Sequence, residues 1–341
     1  MDPEIPTEEE QADEVEAEAE EGQAEETTAS AAAIDSGPKK YRCERCSYSA
    51  DVSWKHERCP GCLTWSNITS KRAPHERRQR MTLGDPSRAG KMVYHSTKIA
   101  EVDKVLSGGI VFGKIVLLAG IRGGGKTRVA LQIADGIASA RYKVVFRSGE
   151  DDTTSVAQFA DQLGIKNEHI DVAGEPDGIN VVDLTDELEE DPAVKLVILD
   201  SVQTCHVPDK KGEVGRTSQI EMVINHLSWF AKKKKVAFLV IGQLTVEDDL
   251  AGGAKFQHGV DVLTRFDSHT IENKDGHPME GTGQWDPKGE WQSRVRVLWC
   301  PGKSRQGGTF ATSYLEMSDE GKLVPLSRNL RLAMSKLEIV S

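Results

Sequence analysis

The sequence predicts an α/β fold with a mostly parallel central sheet enclosed by helices, on three observations. Apolar runs rich in Val, Ile and Leu recur at 115–119, 143–147, 195–199, 236–241 and 293–299, the length of strands buried on both faces. Stretches of helical spacing separate the first four runs, as crossover connections between parallel strands require. The loop behind the first run is glycine-rich and opens straight into an amphipathic helix. With 341 residues, 38% of them apolar, the chain can bury one large core and carry small additions.

Taken in order, the chain begins with a charge run. Residues 1–38 carry 14 of the acidic residues and no Lys or Arg, so the net charge of -11 leaves the remainder at +3. So polar and self-repelling a segment cannot bury enough apolar area to offset its entropy, and it is expected to be a disordered acidic tail. Its simplest role is solubility; mimicry of nucleic acid toward basic surfaces is the alternative. Neither this segment nor any later one has the apolar run of a membrane span or a secretory leader, which points to the cytoplasm.

Four of the six cysteines form two C-x-x-C pairs, Cys43 with Cys46 and Cys59 with Cys62, separated by twelve residues. Four thiolates at that spacing close a tetrahedral Zn²⁺ shell, so residues 39–70 are expected to be a structural zinc ribbon whose metal supplies most of its folding energy. Paired redox cysteines are the rival, and His56 reads as a surface residue. Residues 71–94, with KRAPHERRQR and two prolines, read as a basic linker, those from 95 to 330 as the large domain, and 331–341 as a C-terminal tail.

Within the large domain, Gly120, Gly125, Lys126 and Thr127 fill the pattern G-x-x-x-x-G-K-[ST] between strand and helix, with Ile121, Arg122, Gly123 and Gly124 completing the loop. Glycines let backbone N–H groups curl around phosphate oxygens, and the helix start adds a favourable dipole. Lys126 reaches the outer phosphates and the Thr127 hydroxyl suits Mg²⁺. Arg122 faces either phosphate or water. After KVVFRS, Glu150 is placed to deprotonate an attacking water, while Asp151 or Asp152 caps the next helix. KLVILDS ends in Asp200, a carboxylate suited to orienting Mg²⁺. VAFLVIGQLT brings Gln243 to sense the terminal phosphate, or merely to cap a helix. The lysines at 232–235 suit a helix C-terminus.

Two polar stretches, 203–217 and 245–258, are longer than compact connections usually are. Lys210, Lys211 and Arg216 in the first, and Lys255 and Phe256 in the second, are residue types that track single-stranded nucleic acid; mobile loops without a ligand are the other reading. Residues 267–292, with Trp285 and Trp291, read as an inserted hairpin. Lys303 and Arg305 in GKSRQGG can supply cations across a subunit boundary to a neighbour's phosphates.

Together these residues resemble the RadA (Sms) family of DNA repair ATPases, over roughly 41–321 in one order. CPGCLTWSNI is similar to the family's CPGC-x-x-W-N, FRSGED to its strand ending in SGEE, and LDSVQT to its second nucleotide motif. The signature K-N-R-F-G stands here as Lys303, Ser304, Arg305, Gln306 and Gly307, with Glu316 and Met317 following at the family's spacing. The resemblance implies a RecA-like P-loop ATPase core using ATP, Mg²⁺ and Zn²⁺. It implies a homo-oligomer, a hexameric ring, that moves on single-stranded or branched DNA and promotes branch migration beside a RecA-type recombinase. Lys303 and Arg305 would then act across the subunit interface and Lys255 in a DNA-facing loop. The family's usual His on the sensor strand is Gln243 here, and its Lon-protease-like C-terminal domain has no counterpart after Met317. Such a chain would work in the cytoplasm of a bacterium or a phage-infected host. A replicative-type helicase or RecA-like recombinase on the same core is an alternative, as is a nucleotide-binding adaptor that hydrolyses little.

Overall fold

The computed structural model describes residues 41–43, 49–50, 68–70, 92–208, 213–243, 259–307 and 311–335, in two units divided at residue 89. In the first unit three short strands, β1 (Tyr41–Cys43), β2 (Ser49–Ala50) and β3 (Ile68–Ser70), pair antiparallel in the order β2-β1-β3. Cys43 closes β1. Cys46, Cys59 and Cys62 lie outside the described residues, as does the tail expected over 1–38.

The second unit opens with α1 (Ala100–Val105), then β4 (Ile115–Gly120), α2 (Lys126–Ile137), β5 (Lys143–Ser148) and α3 (Thr153–Gln162). Next come β6 (Ile170–Gly174), β7 (Ile179–Asn180), α4 (Val181–Glu190), β8 (Val194–Asp200), β9 (Cys205–His206), α5 (Thr217–Lys234) and β10 (Ala237–Gln243). The unit continues through β11 (Val262–Ser268), β12 (Gly283–Trp285), β13 (Trp291–Ser293), β14 (Val295–Trp299), β15 (Thr312–Met317), β16 (Leu323–Pro325) and α6 (Arg328–Ser335).

Nine strands form one sheet in the order β16-β15-β14-β11-β4-β10-β8-β5-β6. The six from β11 to β6 run parallel, and β14, β15 and β16 add an antiparallel edge. Alternation along β4 shows the layering. Val116 and Leu118 face one core with Val129, Leu131 and Ile133 of α2. Ile115, Leu117 and Ala119 face the other with Ile220, Val223, Leu227 and Phe230 of α5. Burial of both faces makes the central strands read as unbroken apolar runs.

The local chemistry at helix ends agrees with the residues found there. Asp152 caps α3 by accepting from the Ser155 N–H at 2.8 Å, and Asn180 caps α4. Three lysines fill the last turn of α5, whose negative dipole end they suit, and Lys235 takes the left-handed conformation that stops it.

Three readings change. The polar stretch 203–217 is not simply a loop: β9 lies in it, paired parallel to β7, and only 209–212 fall outside the described residues. The run expected at 293–299 is split, because Ser293 ends the β12–β13 hairpin and turns its hydroxyl to the His269 carbonyl before β14 begins. The segment placed at 331–341 as a tail is entered by α6, which buries Leu330 and Met334 against Ile271, Val295 and Leu326.

Gly136 provides a test of this packing. A Cβ there would lie 1.9 Å from the Thr97 carbonyl oxygen, so α2 rests against the backbone of residue 97. Helix propensity alone predicts that Gly136→Ala stabilises by about 1 kcal/mol. The contact reverses the sign: thermal melting should show a loss of about 1–3 kcal/mol.

Candidate nucleotide site

The groups of the candidate site come from the carboxyl ends of four neighbouring strands, β4, β10, β8 and β5, and from the chain that follows them, where open parallel sheets bind ligands. Beyond β4, the loop 121–125 turns on Gly123 at φ +75° and Gly125 at φ +93°, left-handed values that a side chain rarely tolerates. Gly125 is also the N-cap of α2, so the first N–H groups of that helix open onto the same cleft. The cleft measures about 230 Å³ and is lined by Arg122, Gly123, Gly125, Lys126, Thr127, Arg128, Glu150, Asp151, Phe159, Asp200 and Gln243.

Lys126 is 7% exposed and its ammonium donates to the carbonyls of Gly120 at 3.0 Å and Ile121 at 2.7 Å. Burial pulls its pKa below the ordinary lysine value, against the opposing pull of Asp200, Glu150 and Asp267. Thr127 donates its hydroxyl to Asp200 Oδ2 at 2.5 Å. Asp200 is 2% exposed, and burial raises its pKa to about 6 despite the Thr127 hydrogen bond.

Gln243, at the end of β10, donates its amide to Glu150 Oε1 at 2.6 Å, and Glu150 itself is exposed to the cleft. The Ser148 hydroxyl, fully buried, accepts from the Asp151 N–H at 2.9 Å and the Glu150 N–H at 3.3 Å, fixing the acidic turn after β5. Asp151 is held above the usual carboxylate range by burial first and by its acidic neighbours next. A carboxylate facing solvent, a buried carboxylate on a hydroxyl, an ammonium and a row of helix-start N–H groups thus surround one cleft. Such a set suits a polyphosphate, a divalent cation and a water to be deprotonated. Thr127 and Asp200 supply hard oxygen donors of the kind Mg²⁺ takes.

Of the residues the sequence singles out, Gly120, Ile121, Arg122, Gly123, Gly124, Gly125, Lys126, Thr127, Glu150, Asp200 and Gln243 gather here, with the Arg122 side chain exposed. Lys303 and Arg305 do not join them within the chain. Arg305 Nη1 lies 3.5 Å from Asp261 Oδ1, which also receives Lys114 at 3.3 Å, while Asp261 Oδ2 accepts from the N–H of Ile115, the first residue of β4. The backbone N–H of Leu263 donates to the Lys303 carbonyl. Both cations therefore sit at the amino end of the strands whose carboxyl ends carry the cleft. Arg216 precedes α5, exposed and 3.1 Å from Glu213, while Lys210, Lys211, Lys255 and Phe256 lie outside the described residues. Sequence reasoning passes over Arg296, whose Nε donates to the Gly124 carbonyl at 3.2 Å. The available signal is a charged residue inside the apolar strand VRVLW.

Residues 87–249 match the family described as AAA domain. The DNA repair protein RadA of Aquifex aeolicus (strain VF5) is 32% identical over 287 residues, covering 82% of this chain and 58% of that protein. The RadA of Bacillus subtilis (strain 168) is 28% identical over 295 residues, 83% and 58% of the two chains. A solved DnaB-like replicative helicase superposes with a TM-score of 0.54 at 16% identity, over 71% of this chain and 64% of that one, which bears on the fold alone. The chain thus spans under two thirds of the length of the curated relatives it matches. With an α/β core, its phosphate-type loop in place and this stretch aligned, the chain belongs to the family of DNA repair proteins RadA.

Proposed function

We propose that the chain is an ATPase of recombinational DNA repair, stimulated by DNA, that moves along single-stranded DNA and promotes branch migration. One observation carries the hydrolytic part: Lys126, Thr127, Asp200 and the Glu150–Gln243 pair surround a single cleft at a helix start. The repair context is taken from the relatives named RadA.

In this reading the N–H groups at the start of α2 and the Lys126 ammonium hold the phosphates. Thr127 and Asp200 are the residues that would hold Mg²⁺, which supplies charge neutralisation on the phosphate oxygens when bound. Glu150 takes the proton of a water as its oxygen bonds to the terminal phosphorus. The bond from that phosphorus to the bridging oxygen breaks, leaving ADP and inorganic phosphate. Gln243, bound to Glu150, registers that change at the end of β10, where the 244–258 stretch begins. Lys210, Lys211, Arg216, Lys255 and Phe256 are the proposed contacts to DNA. The four cysteines are the proposed ligands of a structural Zn²⁺, on their spacing alone.

The position of Lys303 and Arg305 supports a site shared between copies. β4 runs six residues from Ile115 to Gly120, about 16 Å from end to end, so cations at its amino end do not reach the cleft at its carboxyl end. A ring of copies, hexameric as in the family resemblance, would bring them to a neighbour's phosphates.

Three measurements test this. Lys126→Ala should abolish ATP turnover, and Glu150→Gln should keep ATP binding while lowering turnover by about 10²–10⁴-fold; turnover in either at the native rate, with or without single-stranded DNA, would refute the site. Mixing Lys126→Ala with Arg305→Ala, each inactive alone, should restore part of the activity, because one copy supplies an intact loop and the other an intact cation. No recovery would place Arg305 outside a shared site.

The third concerns pH. The folded pKa of Asp200, about 6, lies above its unfolded value, so its buried charge destabilises the nucleotide-free fold above pH 6. This penalty fades as pH falls through 6 and is gone below the unfolded value. Asp200→Asn should therefore raise the melting temperature relative to native protein at pH 8 by more than at pH 5. A difference independent of pH would contradict the buried charge.

A further inference from the structure

Arg296 is a largely buried cation that no carboxylate pairs with among the described residues. Its Nε and Nη1 reach oxygen atoms of three separate segments. Nε donates to the Gly124 carbonyl at 3.2 Å, and Nη1 to the Ser293 carbonyl at 2.6 Å, the Val295 carbonyl at 3.1 Å and the Ser268 hydroxyl at 3.4 Å. One side chain thus ties the glycine loop to the end of the β12–β13 hairpin and to the end of β11.

The loop needs such a tie. Gly123, Gly124 and Gly125 have no side chains with which to hold their own peptide planes, and two of the three stand in the left-handed region. Within one peptide the C=O and the next N–H point in opposite directions. Fixing the Gly124 carbonyl toward β14 therefore turns the Gly125 N–H away from β14. That N–H leads the row that Lys126 and Thr127 continue at the start of α2. The Ile121 carbonyl holds the other side of the loop, accepting from the Gly124 N–H at 3.3 Å and from the Lys126 ammonium at 2.7 Å.

We propose that Arg296 is a positioning residue for nucleotide binding: it locks the Gly124–Gly125 peptide so that the N–H cradle is formed before the phosphates arrive. This rests on reading the cleft as an ATP site. A guanidinium suits the task better than an ammonium, because its fixed fork can serve a loop carbonyl and a hairpin carbonyl at once. Without it the three glycines would have to be ordered by the ligand itself, and that ordering would weaken binding.

The test is calorimetric titration of native protein, Arg296→Met, Arg296→Lys and Ser268→Ala with Mg·ATP, Mg·ADP and adenosine, beside steady-state kinetics. Arg296→Met should bind ATP and ADP about tenfold more weakly, the loss of a charge-assisted hydrogen bond. Adenosine, which lacks phosphates, should bind equally to all four proteins, and KM should rise more than kcat falls. Arg296→Lys should recover part of the loss, and Ser268→Ala, which removes only the longest of the four contacts, should lose less than Arg296→Met. ATP affinity in Arg296→Met within twofold of native, or an equal loss for ATP and adenosine, would overturn the proposal. Should Arg296→Met show no folded transition, unchanged ATP affinity in Arg296→Lys overturns it instead. Native protein that binds no ATP would refute the nucleotide reading itself, a result distinct from either.

Discussion

Parallel pairing that is in register at the carboxyl ends of the strands holds this molecule's chemistry in one place, the one shift between β5 and β8 lying at the far end, between Lys143 and Val144. Gln243 of β10 stands opposite Gly120 of β4, Val240 opposite Leu199 of β8, and Ser148 of β5 opposite Asp200 of β8. Four strands therefore end nearly level, and the residues that follow them meet without any long excursion of the chain. A shift of one residue in any pair would turn every side chain of that strand to the opposite face. Asp200 would leave Thr127, and Gln243 would leave Glu150. The cores on either side of the sheet oppose such a shift, since it would also exchange Val116 and Leu118 for their neighbours along β4.

How far this could be read in advance depends on which forces act locally. The four central strands announce themselves because both faces are buried and each carries an apolar stretch, broken chiefly near its ends by residues such as Lys143, Arg147, Lys195 and Asp200. The loop 120–127 is equally plain, since close backbone approach to an anion demands glycine and the outer charge demands lysine. β6 is different: it is an edge strand, IDVAG, with no fully buried residue, so no apolar run marks it. β11 carries Thr264, Arg265, Asp267 and Ser268 among its seven residues and reads as mixed. The antiparallel edge is stabilised by partners far along the chain, such as Leu315 opposite Arg296 and Pro325, which no local pattern encodes. Arg296 and Asp261 fall in the same class, as each acquires its meaning only from segments brought up by the fold.

Elsewhere charge is handled by clustering at strand ends. Arg147, 5% exposed on β5, meets Asp171 at 2.7 Å, Glu187 at 2.8 Å and Glu175 at 3.7 Å, carboxylates drawn from β6, α4 and the turn between β6 and β7. Asp261 does the reverse, one buried carboxylate serving Lys114 and Arg305. Each arrangement neutralises a buried charge and pins neighbouring segments. At the cleft the balance is left incomplete: Lys126 and Asp200 are both desolvated, one pushed down and the other up, which leaves both groups poised to gain from a ligand that carries the missing charges.

The hydrogen bonds of Lys126 to Gly120 and Ile121 give this poise a second side. The ammonium is already at rest on two carbonyl oxygens, so an arriving phosphate gains only the difference between its own grip and theirs. When the phosphate departs, the same two oxygens are waiting, and the cation need not stand bare in a dry cleft while it goes. In the proposed ATPase, a resting berth for the lysine would trade tightness of hold for ease of letting go, as repeated cycling demands.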